Sequence, residues 1–260
     1  MITYDHEPKV SPRNIDLVKF SYDENHNNIV PYYISDNIIV LDNVLSSSEC
    51  TQFINFIDAT PARINSLRKQ IAGNSTIFSN LIRKRCYKFI PMDVECNCDS
   101  SVVSNWYFTH INTCWRFVRC LAGSDLPKHS DPRYVRGVDN VSIYTIMIYL
   151  TCNNDGCLIF DNGLSFNPIP GRMVVFDNRL LHMARPNLSD KYFIRSELMY
   201  TRCKNIETAT DKLAFTLYNL ATSLNTTNPE KASNLEKEAF SLSSVLQSLC
   251  LGSGTVIIDK

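Results

Sequence analysis

The sequence predicts a mostly β chain with helices on both flanks, and three observations carry that prediction. Short runs of β-branched and aromatic residues, separated by turn residues, fill the stretch from Trp115 to Tyr200. Apolar residues at helical spacing precede that stretch at Cys50, Phe53, Ile54 and Ile57, and follow it at Leu213, Leu217, Leu220 and Ala221. A chain of 260 residues, 44% of them hydrophobic, can bury one large core or a core with a small appendage.

Residues 1–36 are polar and aperiodic, include the low-complexity string Asp23 to Asn28, and read as a loosely packed arm. Ile38 to Leu41 reads as a strand. Ser46 and Glu49 then stand at the spacing of a capping box and open the first helix. From Arg63 to Asn112 the pattern is mixed, with a helix over Ile77 to Tyr87 and a loop through Pro91 to Ser101. Strands are expected over Trp115 to Leu121, Val141 to Thr151, Cys157 to Asp161, Leu164 to Asn167, Arg172 to Phe176 and Tyr192 to Tyr200. Pro170-Gly171 is a turn, because Pro presets φ at one corner and Gly tolerates positive φ at the next, and antiparallel pairing follows. Thr227-Asn228-Pro229 interrupts the last helical pattern, so residues 204–260 are expected to form a helical hairpin. The division is therefore an arm over 1–36, a β domain with its leading strand and helices over 37–203, and the hairpin over 204–260.

Lys+Arg 26 balance Asp+Glu 26, so no overall field draws the chain to nucleic acid or to an acidic membrane, and neither partner is expected. With 8 glycines and no G-x-G-x-x-G or G-x-x-x-x-G-K-[ST] string, Gly-rich phosphate loops are excluded. The longest apolar run, Val141 to Leu150, is well short of the ~20 residues that span a bilayer. Charged residues at the N-terminus and the lack of an apolar segment there point to a soluble intracellular chain without a secretory signal. Its 10 cysteines are then expected to be reduced. Cys96 and Cys98, the closest spaced, read as ordinary thiols because metal knuckles need two such pairs.

Two of the 5 histidines sit in unusual company: His129 in Lys128-His129-Ser130-Asp131, and His182 just after the run Val174-Val175-Phe176. In an extended segment residues i and i+2 point to the same side, so His129 and Asp131 converge on one ion, and His182 supplies a third ligand from a neighbouring strand. Two imidazoles and a carboxylate on one face of a metal leave three octahedral positions open, as in non-haem Fe(II) oxygenases. Arg195 lies amid Phe193, Ile194 and Leu198, where a guanidinium needs an anion and fits a carboxylate bidentately. A simple pair with Glu197 is the alternative. Lys191 is a rival on the same strand face by period two, and on the preceding long strand Ile143, Thr145, Met147 and Tyr149 share one face by the same rule.

Four strings, RFVRCLAGSDLPKHSD, VSIYTIMIYL, GRMVVFDNRLLHMARP and KYFIRSELMY, resemble in order and spacing the 2-oxoglutarate- and Fe(II)-dependent dioxygenases of the prolyl 4-hydroxylase type. The resemblance spans Trp115 to Arg202, with weaker echoes in Ile38 to Asp58. It implies a double-stranded β-helix, or jelly-roll, core with Fe(II) held by His129, Asp131 and His182. It further implies that Arg195 anchors the 5-carboxylate of 2-oxoglutarate, that Tyr149 and Thr145 line the cosubstrate pocket, that O2 is the oxidant and that ascorbate (vitamin C) rereduces the iron. The implied activity is hydroxylation of a C–H bond, by default in a prolyl residue of a protein or peptide, with release of succinate and CO2. An oxygenase acting on a free small molecule and a non-catalytic jelly-roll binding module are the alternatives. Cys120, beside Arg119, stands where the family often has Tyr, Glu197 where many relatives have Asp, and Asn153 to Gly156 is short of the usual Gly-Gly turn. Arg63, Arg68, Lys69, Arg133 and Arg136 would suit an acidic peptide or a nucleic acid, or simply face solvent. The C-terminal hairpin is expected either to pack on the barrel or to mediate a homodimer.

Overall fold

The computed structural model of the chain describes residues 13–14, 20–23, 26, 28–62, 64–65, 67–96, 103–152 and 156–251. In chain order these form β1 (Arg13–Asn14), β2 (Val30–Ile34), β3 (Ile38–Asp42), α1 (Ser47–Ala59), β4 (Ile64–Asn65), β5 (Arg68–Asn74), α2 (Thr76–Cys86), β6 (Asp93–Cys96) and β7 (Ser104–Ile111). The β-rich stretch supplies β8 (Cys114–Cys120), β9 (Leu126–His129), β10 (Val135–Gly137), β11 (Asn140–Tyr149), β12 (Leu158–Phe160) and β13 (Ser165–Phe166), then β14 (Met173–Asp177), β15 (His182–Ala184) and β16 (Lys191–Arg202). The helices α3 (Ala209–Leu224), α4 (Pro229–Leu242) and α5 (Ser244–Leu251) follow.

Two sheets face each other. The central strands of the larger run in the order β8-β16-β11-β14-β3, and the smaller runs β13-β12-β15-β9. From β8 to β16 the chain crosses between them at nearly every connection, which is the winding of a double-stranded β-helix. Alternation along each strand divides the apolar residues into two cores. Between the sheets lie Ile38, Val40, Val118, Met147, Tyr149, Val174, Phe176 and Phe193 from the larger, against Leu158, Phe160 and Phe166 from the smaller. On the outer face Ile39, Phe117, Ile146, Ile148, Val175 and Ile194 meet the helices. As β11 is buried on both faces, it belongs to both cores.

The outer helices form where the sequence signals them. Ser46 Oγ accepts from Glu49 N at 3.2 Å and Glu49 Oε2 accepts from Ser46 N at 2.8 Å, closing the capping box of α1. Arg85 at the end of α2 donates to both Glu49 oxygens at 2.8 and 3.0 Å, locking the two helices together in a buried ion pair. Phe53 and Phe56 of α1 then lie against Phe117 of β8 with ring centroids 5.8 and 5.2 Å apart. At the other end Asn228 caps α4 with Pro229 in its first turn, as the break in the pattern predicts. Asp139 accepts from Arg202 Nε, Ile206 N and Glu207 N at 2.8–2.9 Å, which fixes the start of the tail. Ala214, Leu246 and Leu249 of the tail join the outer core.

Several expectations change. The stretch 1–36 is not loose throughout: β2 pairs with β3 from Val30 opposite Asp42 to Ile34 opposite Ile39, and the Phe20 ring stacks 4.8 Å from Phe53. The strand includes Pro31, which an edge position tolerates. The expected loop from Pro91 to Ser101 contains β6, paired with β7. A third tail helix, α5, follows the expected two. Ile143 packs in the outer core rather than beside Thr145, because the pairing of β11 with β16 slips between Ser142 and Tyr144 and the extra residue reverses the alternation. Cys96, expected as a free thiol, is disulfide-bonded. Among the described residues no helix is long and apolar enough to cross a membrane.

Two substitutions test this frame. Gly171 holds φ +78 and a Cβ there would sit 2.2 Å from Leu45 O, so Gly171→Ala should destabilise by on the order of 2–4 kcal/mol in urea unfolding. Burial alone would raise the Glu49 carboxyl, but Arg85 and the Ser46 and Asp23 amides outweigh it and hold it below the ordinary carboxylate value. Its folded pKa is therefore the lower one, so its contribution is present above the ordinary carboxylate range and lost as the pH falls through the folded value. Glu49→Ala should cost about 3–5 kcal/mol at neutral pH by stranding Arg85, and the gap from wild type should narrow in acid.

Candidate metal centre

Two short strands of the smaller sheet bring the histidines together. In the pairing of β15 with β9, His182 lies directly opposite His129, and the ring centroids are 4.3 Å apart. Asp131 follows β9 by two residues, and its backbone N donates to Asn178 O at 2.8 Å while Asn178 N donates to Ile143 O at 3.0 Å. That chain of bonds ties the residue after β9 to β11 in the opposite sheet. Asp131 Oδ1 lies 3.7 Å from His129 Nε2 and 4.0 Å from His182 Nε2, and the ligand atoms of all three fall within 4.8 Å of one another.

Each imidazole is oriented from behind. His129 Nδ1 is 2.9 Å from Pro127 O, and His182 Nδ1 is 2.9 Å from Leu180 O. A carbonyl only accepts, so Nδ1 carries the proton in both rings and the Nε2 lone pairs face the Asp131 carboxylate. Phe176 holds the His182 ring edge-on at 4.8 Å. Burial lowers the His182 imidazole below its ordinary value and Asp131 restores part of that, so the ring is neutral and fit to ligate.

Asp131 is 2% exposed and both its oxygens are engaged: Thr145 Oγ1 donates to Oδ2 at 2.7 Å, and Arg195 Nη2 forms an ion pair with Oδ1 at 2.9 Å. Burial alone would raise this carboxyl, but the Arg195 guanidinium beside it more than offsets that and holds it well below the usual carboxylate range. The site thus presents two neutral nitrogens and one anionic oxygen on a common face, a donor set suited to a divalent transition metal with open positions.

The structure brings His129, Asp131, His182, Thr145 and Arg195 into one cluster, but with different contacts from those the spacing suggests for the last two. Thr145 spends its hydroxyl on Asp131. Arg195 pairs with Asp131 and not with Glu197, whose oxygens accept from Arg116 Nη1 at 2.6 Å and Asn112 Nδ2 at 2.8 Å. Tyr149 lies deeper between the sheets, opposite Phe193, and burial pushes its phenol above the ordinary value, so it remains a donor. Lys191 is also buried, its Nζ donating to Gly156 O at 2.9 Å. Cys120 lines the same interior opposite Lys191, whereas Arg119 points out of the barrel to Asp58 and Asp190. Of the basic residues at the rim, Arg136 Nη1 is 3.2 Å from His110 Nε2, Lys69 donates to Asp58 O at 3.1 Å, and Arg68 stacks on Phe193 at 5.7 Å. Arg63 lies outside the described residues.

Sequence reasoning passed over Arg116, although it sits between Trp115 and Phe117 in an apolar strand, the same signal that singles out Arg195. Asn178 was missed too, because its role is carried by backbone atoms.

No family model and no curated protein matches the chain. Among solved structures it is similar to a viral collagen prolyl hydroxylase from Paramecium Bursaria Chlorella virus-1, described as a 2OG complex, at 18% identity, 64% of this chain and 97% of the other, TM-score 0.43. It is similar to a prolyl hydroxylase from Trichoplax adhaerens, in complex with a hypoxia inducible factor peptide fragment, at 17% identity over 63% and 84% of the two chains, TM-score 0.44. It is also similar to HygX from Streptomyces hygroscopicus with nickel, 2-oxoglutarate and hygromycin B, at 13% identity over 68% and 90%, TM-score 0.44.

The Thr145 contact can be tested on its own. Thr145→Val keeps the shape of the side chain and removes the donor to Asp131 Oδ2, so it should lower stability by about 1–3 kcal/mol and weaken divalent-metal binding about 10–100-fold, with Thr145→Ser restoring most of both. Wild-type metal affinity in the Val variant, measured by isothermal titration, would show that the hydroxyl does not orient the carboxylate.

Proposed function

We propose that the chain is an Fe(II)- and 2-oxoglutarate-dependent dioxygenase that hydroxylates a C–H bond, with a prolyl residue in a protein or peptide as substrate. The observation that carries this reading is the convergence of His129, Asp131 and His182 with both Nδ1 atoms held by backbone carbonyls. Two imidazole nitrogens and a carboxylate on one face fit Fe(II). When bound there, the iron would supply the activation of O2 that converts 2-oxoglutarate to succinate and CO2 and oxidises the substrate.

The remaining chemistry belongs to the chain's own residues. His129, Asp131 and His182 hold the ion. Thr145 and Arg195 keep Asp131 ionised and fix its rotamer through opposite oxygens. Met147, Val118 and Phe193 line the interior with apolar surface and keep water from the reacting centre. For the 5-carboxylate of 2-oxoglutarate we favour Lys191 with Tyr149 over Arg195. Lys191 lies on the same face of β16 and further from the triad, at the depth of Tyr149, whereas the Arg195 guanidinium lies beside Asp131 itself. The prolyl substrate rests on the resemblance in the four sequence strings. The neutral overall charge speaks against a nucleic acid, which needs a basic surface. Ascorbate as reductant follows from the same resemblance.

Protein loaded anaerobically with Fe(II) and 2-oxoglutarate, then exposed to air with proline-containing peptides, should release succinate and add one oxygen atom at Pro, with more turnovers when ascorbate is present. His129→Ala, Asp131→Ala and His182→Ala should each abolish metal binding and succinate release while the circular dichroism stays that of wild type. Lys191→Ala should raise the 2-oxoglutarate KM by the equivalent of about 2–5 kcal/mol, Lys191→Arg less. A raised KM in Arg195→Ala with an unchanged one in Lys191→Ala would return the anchor to Arg195. Succinate release driven by free small molecules and by no peptide would make the enzyme a metabolite oxygenase.

A further inference from the structure

The inner face of the larger sheet carries a charge pattern that the metal and cosubstrate do not use up. Across β5, β8, β16 and β11 the register aligns Ala72, Arg116, Arg195 and Met147 in one row, so two guanidiniums occupy directly opposed positions on adjacent strands. Like charges so placed repel unless anions separate them. Here the anions are Asp131, paired with Arg195 at 2.9 Å, and Glu197, paired with Arg116 at 2.6 Å. The exposures are lopsided. Both carboxylates are 2% exposed, while the Arg195 and Arg116 side chains are 17% and 28% exposed, and Arg195 Nε is buried without a hydrogen-bond partner. His129 is itself 19% exposed, and the groups of this row that reach solvent are guanidinium edges and not the carboxylates beneath them.

Arg195 also shares its acceptor. It is ion-paired with Asp131 Oδ1, the oxygen that lies 3.7 and 4.0 Å from the two Nε2 atoms. A divalent cation held by the triad competes for that oxygen, which leaves the Arg195 fork with donors to place next to Arg116. Two forks on neighbouring strands, roughly 5 Å apart at Cα, suit one planar carboxylate between them.

We propose that Arg116 and Arg195 form a receptor for a carboxylate of the primary substrate, which orients that substrate beside the triad and makes the enzyme selective for an acidic acceptor. This rests on the dioxygenase reading and adds the substrate class to it. The carboxylate is either the terminal one of the residue oxidised or the side chain of an adjacent Asp or Glu. Glu197 is the internal occupant: it holds Arg116 in place and gives way in part when the substrate's carboxylate arrives.

The test uses full-length protein loaded with Ni(II) and saturating 2-oxoglutarate, which binds substrate without turnover. Dissociation constants are measured calorimetrically for N-acetylproline against N-acetylprolinamide, and for acetyl-Pro-Glu-amide against acetyl-Pro-Gln-amide. The acid should bind about tenfold tighter than its neutral partner in one pair, and which pair does so distinguishes a terminal from a side-chain carboxylate. Arg116→Gln should erase that preference and leave the neutral ligands bound, and Arg116→Lys should keep part of it. Glu197→Gln, which removes the competing carboxylate, should tighten the acid, a response that a purely structural ion pair would not give. If Arg116→Gln does not fold, the opposite responses of Arg116→Lys and Glu197→Gln decide. Equal affinity of acid and amide in both pairs, no binding of any of the four, or a preference that survives in Arg116→Gln overturns the receptor. Failure of the wild type to bind Ni(II) or 2-oxoglutarate overturns the dioxygenase reading and the receptor with it.

Discussion

A single carboxylate, taken almost wholly out of water where the two sheets meet, governs the arrangement around it. An isolated buried carboxylate would protonate or pull the structure open. Asp131 does neither, because the larger sheet supplies the compensation, Arg195 from β16 and Thr145 from β11, while the smaller sheet sets the two imidazoles of β9 and β15 around it. The same bonds that keep the charge in place hold the sheets in register at that edge. Stability and metal-binding geometry are therefore set by the same handful of contacts.

That coupling explains why the smaller sheet can be so slight. Strands of two to four residues bury little and offer few ladder bonds, and alone they would be marginal. They are held by the interior residues that face them and by the Asn178 bridge behind Asp131. The outer core, with its capped and ion-paired helices, supplies the rigid backing against which this lighter sheet closes.

The long strands were legible in the sequence because Val141 to Leu150 and Tyr192 to Tyr200 carry β-branched, aromatic and other apolar residues at most positions. The triad was legible for a different reason, since the i, i+2 rule needs only a short extended segment and not a recognisable strand. What stayed hidden has physical causes. Leu126–His129 and His182–Ala184 are too short and polar to show a period, so the strands that bear both histidines were not expected as strands. Their existence depends on the facing sheet. The partner of Arg195 was equally out of reach, because a cosubstrate carboxylate and Glu197 were the acceptors the sequence suggested, and only the fold brings Arg116 to Glu197 and Arg195 to Asp131. In the stretch from Arg63 to Asn112, β5 and β7 are formed by cross-strand pairing with β8 and β16, which no local window reports.

The slip between Ser142 and Tyr144 gives β11 a parity. Upstream of it odd-numbered residues face the helices, and downstream they face the space between the sheets, so one inserted residue is what turns Thr145 toward Asp131. Loss of the one extra residue there would leave a regular strand, with Val141, Tyr144, Ile146 and Ile148 still outward and Thr145, Met147 and Tyr149 still inward. Loss of one residue further along, between Thr145 and Tyr149, would instead turn every side chain beyond the gap to the other face. The strand thus tolerates an odd change of length at its slip and is ruined by one elsewhere, a counting rule imposed by the pleat and independent of which amino acid is lost.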